Sequence, residues 1–216
     1  MIRKIKQFIW SILIKLKIGG VIQLFLASGL RDDGWFESFN TKKSIDENGT
    51  PIPWCTYALI KFIEPRLKKE FKVFEYGSGN STFWYAKRVA YVKCVEHNQN
   101  WFDENNHLFP ANVEAVIRVF NNDDTYANEI NTADTKYHIV IIDGVDRNNC
   151  AMICLNKLTE DGIIIYDNTQ VLEYRISIEF LLQNGFKKLD FEGPLPIVSH
   201  NNITTIFYRD NNCLNI

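Results

Sequence analysis

The segment Val73–Thr82 joins an acidic residue to two glycines at a boundary between strand and helix. The apolar run Val73–Tyr76 predicts a short strand, and Gly77 and Gly79 would let the backbone pass close to a ligand. The helix that follows offers unpaired N–H groups to an anion. Because Glu75 stands just before the turn, its carboxylate would repel a pyrophosphate. It would accept a ligand that carries a cation beside its anion.

Acidic residues follow other predicted strands as well. Glu96 ends the run Tyr91–Glu96, and Asp143 follows the continuous apolar run His138–Ile142. The carboxyl ends of parallel strands meet at one edge of a sheet, where ligands bind. Glu96 lies 17 residues beyond Gly79, which is about the spacing at which an acid reaches ribose hydroxyls. S-adenosylmethionine (SAM) combines a ribose with a sulfonium, an ammonium and a carboxylate, and it fits both acids. The candidate cofactor-binding residues are Glu75, Gly77, Ser78, Gly79, Ser81, Thr82, Glu96, His97, Asp123 and Asp143.

Apolar strands and helical patterns alternate from residue 73 to residue 184. Such strands predict an α/β fold, with a doubly wound, mostly parallel sheet and helices on both faces. Two later strand patterns, Phe186–Phe191 and Thr204–Tyr208, have only a loop between them. We therefore predict an antiparallel C-terminal strand pair. Residues 51–216 are predicted to form the ligand-binding domain, and residues 1–50 an N-terminal basic arm with an aromatic segment.

Composition is that of an ordinary globular protein of 216 residues, with a net charge of −2. The first 31 residues hold six basic residues and no acid, which leaves 18 basic against 26 acidic residues elsewhere, a net charge of −8. On this balance we expect no nucleic-acid partner. The five cysteines include no Cys-x-x-Cys pair, which favours a reduced, cytoplasmic setting.

The N-terminal arm has a helical apolar periodicity over residues 2–18, followed by the apolar run Val21–Leu26. Lysines interrupt it before ~20 apolar residues accumulate, so we do not expect a transmembrane span. Two interpretations remain open. The helix packs against the domain or against a second subunit in a homodimer, or residues 1–30 lie peripherally in a membrane interface with basic residues toward anionic lipid.

The sequence Glu75-Tyr-Gly-Ser-Gly79 resembles the first motif of the class I SAM-dependent methyltransferases. Glu96 matches their ribose-binding acid, and the strand pair without a helix matches their antiparallel sheet edge. The resemblance covers about residues 51–210 and implies a Rossmann-like fold, SAM as cofactor and methyltransferase activity. We expect O-methylation of a small-molecule or saccharide hydroxyl. The alternatives are a nicotinamide-dependent oxidoreductase, whose fingerprint requires glycine where Thr82 stands, and a non-catalytic SAM-binding protein.

A narrower resemblance involves Ile141–Gly144 and Gly162–Thr169, which are similar to segments of the metal-dependent catechol and caffeoyl-CoA O-methyltransferases. In that family an Asp after the fourth strand and an Asp-Asn pair after the fifth bind a divalent cation, which implies Mg²⁺ or a similar ion here. The matching positions are Asp143, Asp167 and Asn168. The family's lysine base is replaced by Asp146. The candidate catalytic residues are therefore Asp143, Asp146 and His97.

Overall fold

A seven-stranded sheet organises the part of the chain that the computed structural model describes, residues 2–121 and 123–216. The strands are β1 (Lys72–Tyr76), β2 (Tyr91–Glu96), β3 (Val113–Ile117), β4 (Tyr137–Ile142), β5 (Leu158–Asp167), β6 (Lys187–Gly193) and β7 (Asn202–Tyr208). Their order across the sheet is β3-β2-β1-β4-β5-β7-β6. The first five strands are parallel, and β7 runs antiparallel to both β5 and β6. The predicted fold class is confirmed.

The described part of the chain also contains helices, some of which pack against the sheet. They are α1 (Ile2–Lys15), α2 (Gly19–Leu26), α3 (Gly29–Asp32), α4 (Trp35–Thr41), α5 (Tyr57–Ile63), α6 (Asn80–Ala86), α7 (Gln99–Asn105), α8 (Thr125–Asn128), α9 (Arg147–Ile153) and α10 (Arg175–Gln183). Short 3₁₀ turns extend several of them, at Glu64–Arg66, Asn106–Leu108, Glu129–Asn131, Cys154–Lys157 and Leu172–Tyr174.

The core lies on both faces of the sheet. Successive strand residues point to opposite faces, and the neighbours Val73 and Phe74 of β1 belong to two separate apolar clusters. The first cluster includes Leu59 of α5 and Trp84 of α6, and the second includes Cys150 of α9. Because both faces are covered, consecutive strand residues are apolar, as over residues 139–142 of β4, which are all buried.

Some boundaries differ from the sequence expectation. The helical pattern over residues 54–71 forms a helix only to Ile63, where a 3₁₀ turn containing Pro65 follows. Proline has no amide hydrogen for a helical hydrogen bond and favours this stop. β5 begins at Leu158, four residues before the expected start at Gly162, and pairs irregularly with β4 near Tyr137. The short helix α8 was not predicted.

The segment between α4 and α5 covers the carboxyl edge of the sheet. The indole Nε1 of Trp35 donates to the carbonyl of Val198 at 2.7 Å, and the side-chain amide of Asn80 donates to the carbonyl of Ser44 at 2.7 Å. These bonds tie the segment to α6 and to the loop between β6 and β7. They hold this cover over the strand ends where the candidate site residues lie.

The N-terminal arm leaves its apolar side chains exposed. No residue of α1 is buried, and 12 of the 21 exposed large hydrophobic residues of the described chain fall within residues 2–26. The helices α1 and α2 are separated at Lys17, which has a φ of +59°. Among the described helices none is long and apolar enough by itself to cross a bilayer. The arm helices, which are bent by 119° relative to each other, together have the length and composition of a span.

Candidate functional site

Two cavities open at the carboxyl ends of the strands. The first, here called the strand-end cavity, has a volume of about 420 Å³, and the second, the α6–α7 cavity, about 820 Å³. The strand-end cavity is lined by Trp54, Glu75, Gly77, Ser78, Ser81, Glu96, His97, Asp143, Arg147, Asp167, Asn168, Leu195, Val198, His200 and Asn202. Five residues border both cavities, namely Trp54, Ser78, Ser81, Glu96 and Asp143. The cavities therefore meet beside the predicted cofactor-binding acids.

The turns after β1 and β4 pack against each other, and each contains a glycine that another residue could replace only with strain or a clash. Gly77 has a φ of +103°, and a Cβ placed on it would lie 3.4 Å from the amide nitrogen of Gly144. A Cβ on Gly144 would lie 2.0 Å from the hydroxyl of Tyr126. Gly79 differs, because its backbone is extended and a Cβ there would meet only Trp101, at 4.0 Å. The fold thus requires Gly77 and Gly144, whereas Gly79 keeps open space at the α6–α7 cavity.

Glu75 is a buried acid, and none of the described side chains that bond to its carboxylate is a cation. The Ser81 hydroxyl donates to one carboxylate oxygen, and the Thr82 hydroxyl donates to the other at 2.6 Å. Burial, helped by the charge of Glu96, raises the pKa of Glu75 to about 7, against the lowering effect of these two hydroxyls. A buried carboxylate in this condition is stabilised by a cation brought in by a ligand.

Glu96 lies at the end of β2 and shapes the turn around it. One of its oxygens accepts from the backbone amides of His97 and Asn98, both at 2.8 Å, and the other accepts from the amide and the hydroxyl of Ser78 at 3.1 and 2.9 Å. The ring Nδ1 of His97 lies 3.0 Å from the same carboxylate. The Trp101 indole donates to the Ser78 hydroxyl at 3.2 Å. These contacts hold the acid beside the glycine turn, as the spacing predicts.

Arg147 joins the ends of β4 and β5. Its Nε donates to the carbonyl of Gly144 at 2.9 Å. One terminal nitrogen donates to the carbonyl of Asp167 at 2.7 Å and to Oδ1 of Asn168 at 2.9 Å. The other donates to the carbonyl of Asp143 at 2.9 Å and to its Oδ1 at 3.0 Å. All five N–H groups of the guanidinium are used in this way.

The three candidate metal ligands do not fit a divalent cation in this arrangement. Oxygens of Asp143 and Asn168 that would bind the ion accept from Arg147, and Oδ1 of Asp167 accepts from Asn202 at 2.9 Å and from Thr204. Over residues 2–121 and 123–216, no group of three His, Cys, Asp or Glu side chains is placed to hold a metal. The expected metal site is corrected on this physical ground: an arginine already fills its centre.

Burial governs the protonation of both acids at this point. Burial raises the pKa of Asp143, as does the charge of Asp167, while Arg147 acts in the opposite direction. Burial likewise raises the pKa of Asp167, against hydrogen bonds from Thr204 and Asn202. About a third of the Asp143 side chain, 34%, is still exposed toward the cavities. Asp143 is therefore the acid at this edge that a ligand can reach.

Two other candidate residues lie apart from the cavities. Asp146 does not line either of them, and its carboxylate accepts from the side chain of Asn149 at 3.0 Å. Asp123 is exposed on the loop after β3, where it accepts from the amide of Thr125 at 3.1 Å. Their roles as base and as cofactor contact stay predictions. His97, in contrast, lines the strand-end cavity.

Sequence reasoning missed several residues of the strand-end cavity, two of which bond to its strand ends. Arg147 was not among the candidate residues, and its role as a donor to two strand ends was not foreseen. Asn202 lies at the start of β7, bonded to Asp167 and Asn168. The register of β5 with β7, which pairs Asp167 with Thr204, brings it there. A correct prediction of the β5–β7 register would have placed Asn202 beside Asp167.

Comparisons with solved structures identify the fold. An rRNA methylase from Streptococcus thermophilus is 13% identical, with a TM-score of 0.53 over 72% of this chain and 98% of that chain. The precorrin-6y C5,15-methyltransferase from Geobacter metallireducens is 13% identical, with a TM-score of 0.57 over 71% and 87%. A protein from Streptococcus mutans in complex with SAH, S-adenosylhomocysteine, is 12% identical, with a TM-score of 0.50 over 68% and 94%. The chain has the Rossmann-like fold of the class I SAM-dependent methyltransferases.

At the level of sequence, no protein-family model and no curated protein matches the chain. The structural comparison also corrects one expectation. The exclusion of a nucleic-acid partner is wrong, because the same fold occurs in an rRNA methylase. Net charge describes the whole chain, whereas an interaction with nucleic acid depends on the local charge at one face. Lys42 and Lys43, which line the α6–α7 cavity, are local positive charges of this kind.

Proposed function

We propose that this chain is a SAM-dependent methyltransferase that transfers a methyl group to a hydroxyl oxygen of a small molecule or saccharide. The observation that carries the proposal is the buried Glu75, which lacks a bonded cation and lies across a glycine turn from Glu96. The sulfonium and ammonium of SAM would supply the missing positive charge near Glu75, and Glu96 would accept hydrogen bonds from ribose hydroxyls. SAM would also supply the electrophilic methyl group.

Asp143 is the proposed base for the acceptor hydroxyl. It borders both cavities, so it stands where a cofactor in one and an acceptor in the other would meet. A carboxylate whose pKa is raised by burial is a better proton acceptor near neutral pH than an ordinary aspartate. Transfer also requires alignment of the acceptor oxygen, which walls such as Trp54 and the loop after β6 would provide.

The α6–α7 cavity supports a sugar as the acceptor. Trp54 and Trp101 line it and are 48% and 39% exposed. The same cavity is also lined by amide side chains that can both donate and accept hydrogen bonds, those of Asn80, Asn98 and Asn105. Flat apolar faces with amides beside them suit the ring faces and hydroxyls of a saccharide. Nucleic-acid bases also stack on indoles, so RNA belongs in the test.

The cofactor assignment is tested by calorimetry with S-adenosylhomocysteine. Each hydrogen bond to a charged group contributes about 1.5–3 kcal/mol, so Glu96→Ala should weaken binding about 10–100-fold. The control is Asp103→Ala, which removes an acid of α7 that lines neither cavity. Binding of NAD without any response to S-adenosylhomocysteine would favour the oxidoreductase instead.

The acceptor assignment is tested with SAM labelled in its methyl group. The enzyme is incubated separately with pooled oligosaccharides and with total RNA, and the label in each polymer is counted. Label in the saccharide pool, lost in Asp143→Asn, is the expected result. Label confined to RNA would overturn the saccharide assignment and leave SAM binding untouched.

A further inference from the structure

Arg147 occupies the centre of the arrangement that resembles a divalent-cation site. The oxygens around it come from two strand ends, with Asp143 after β4 and Asp167 and Asn168 after β5. Four of its five hydrogen bonds end on these three residues, at 2.7–3.0 Å. Its side chain is only 12% exposed, so the positive charge lies inside the protein.

The guanidinium performs the two tasks that a metal would perform here. It offsets the charge of neighbouring carboxylates, and it joins two loops by bonding to oxygens of both. Its planar fork presents five donors in fixed directions, which suits oxygens spread around one plane. The ring of Tyr174 lies 5.5 Å from its central carbon and limits its movement on one side.

We propose that the Arg147 guanidinium is the resident cation of this site in place of a divalent metal ion. Oδ1 of Asp143 and Oδ1 of Asn168 already accept from the arginine, so a metal could bind these oxygens only after the arginine side chain is removed. The proposal also accounts for Asp146, which stands where the metal-dependent family has its lysine base. Arg147, the next residue, organises this site in place of a metal and a lysine. The proposal rests on the proposed function only for the assignment of the cavity to a cofactor and an acceptor. The role of Arg147 as the cation can be tested without measuring methyl transfer.

The arrangement also sets the orientation of Asp143. Oδ1 accepts from Arg147, while Oδ2 has no hydrogen bond to any of the described residues. Arg147 is thus a positioning residue that leaves one oxygen of the proposed base free toward the cavities.

The test is a gain of metal binding in the full chain. Mn²⁺ is the probe, since it prefers the same oxygen ligands as Mg²⁺ and its free form is measured directly by electron paramagnetic resonance. In Arg147→Ala, the vacated oxygens should bind Mn²⁺ at least about tenfold more tightly than wild type, as expected for hard oxygen ligands. Addition of Mn²⁺ should also raise the melting temperature of Arg147→Ala and leave that of wild type unchanged.

Three further variants separate this result from a general effect on folding. Arg147→Ala combined with Asp143→Asn should lose the gained Mn²⁺ binding. Arg147→Lys keeps a positive charge and should gain none. Arg118→Ala is the matched control, because Arg118 pairs with the buried Glu129 at 2.8 Å but lies away from this site.

The proposal is overturned if wild type binds Mn²⁺ and loses that binding in Asp143→Asn. It is equally overturned if Arg147→Ala is folded and binds Mn²⁺ no better than wild type. If Arg147→Ala does not fold, the titration is made with Arg147→Gln, where a gain supports the proposal and its absence overturns it. S-adenosylhomocysteine binding, measured on the same samples, reports separately on the proposed function.

Discussion

Ligand binding should depend on pH through Glu75. Burial raises the pKa of this carboxyl from an ordinary value of 4.5 to about 7, and a cationic ligand would lower it again by favouring the charged form. The complex therefore holds Glu75 ionised, whereas the free protein is partly protonated below neutral pH. Binding must then release a proton, and affinity must rise with pH until the free carboxyl is ionised.

The magnitude follows from the raised value. With a pKa of about 7, the free carboxyl is ionised to about 3% at pH 5.5 and about 75% at pH 7.5, so affinity should increase about 25-fold over this range. The α-amino group of the ligand, with a pKa of about 8, stays mostly protonated in the same range. Near pH 7, binding should release about half a proton, since the free group is about half ionised there.

The assay is calorimetric titration of SAM, which carries both the sulfonium and the ammonium, between pH 5.5 and 7.5, in buffers of different ionisation enthalpy to count the protons. The control is Glu75→Gln, which keeps an oxygen to accept from Ser81 and Thr82 but cannot titrate. It should bind weakly, with little change over the range. An affinity in wild type that is constant with pH, or a slope that Glu75→Gln retains in full, would refute the reasoning.

The same carboxyl should affect stability in the opposite direction. In the folded state without ligand, Glu75 holds its proton more tightly than in the unfolded state. Relative to Glu75→Gln, wild type should therefore lose stability as pH rises from 4.5 to about 7. The difference amounts to about 3 kcal/mol at most, from about 1.4 kcal/mol per pKa unit. Denaturant unfolding at pH 5 and pH 7.5 measures it.

Three further predictions concern the glycine turn and the arm. Gly79→Ala should lower methyl transfer to the saccharide pool at least about tenfold because it fills open space in the α6–α7 cavity. Its melting temperature should be unchanged, since a Cβ meets only Trp101 at 4.0 Å; equal methyl transfer would show that the space is not used. Gly77→Ala should lower the free energy of unfolding by about 1–3 kcal/mol through its positive φ, and an unaltered denaturation midpoint would contradict the turn geometry. The full chain should sediment with phosphatidylserine vesicles and be released at high salt. A chain starting at residue 31 should stay in solution and bind ligand normally. If the full chain does not bind vesicles and truncation changes the oligomeric state, the arm packs against a second subunit instead.

The strand ends were predictable because one rule connects sequence to position. An apolar strand that is buried on both faces shows its length in the sequence, as β2 does with the expected bounds Tyr91–Glu96. Parallel strands then bring residues after their carboxyl ends to one edge. Glu75 and Glu96 both follow from this rule. Neither inference requires knowledge of the loops.

Loop residues are harder to place from the sequence because the direction of their side chains depends on the local backbone and on the partners it brings near. Asp123 and Asp146 occupy suitable positions in the sequence, yet one bonds to its own loop and the other to Asn149. Asp146 also has a φ of +50°, a left-handed conformation that an aspartate tolerates but that its type alone does not foretell. Sequence position brings such a residue near the site, and the local backbone decides whether its side chain enters it.

The two acidic centres of the cavity differ in what neutralises them, and this difference gives each a separate role. Asp143 and Asp167 have an internal cation in Arg147, so their oxygens are already held before any ligand arrives. Among the described side chains, Glu75 accepts only from the hydroxyls of Ser81 and Thr82, which cannot supply a charge. A protein retains a buried acid of this kind at a cost in stability, and that cost is recovered when a cationic ligand binds. The centre where no described side chain supplies a cation is therefore the one built for the sulfonium ligand, while the centre with Arg147 is built to hold Asp143, the proposed base, in place.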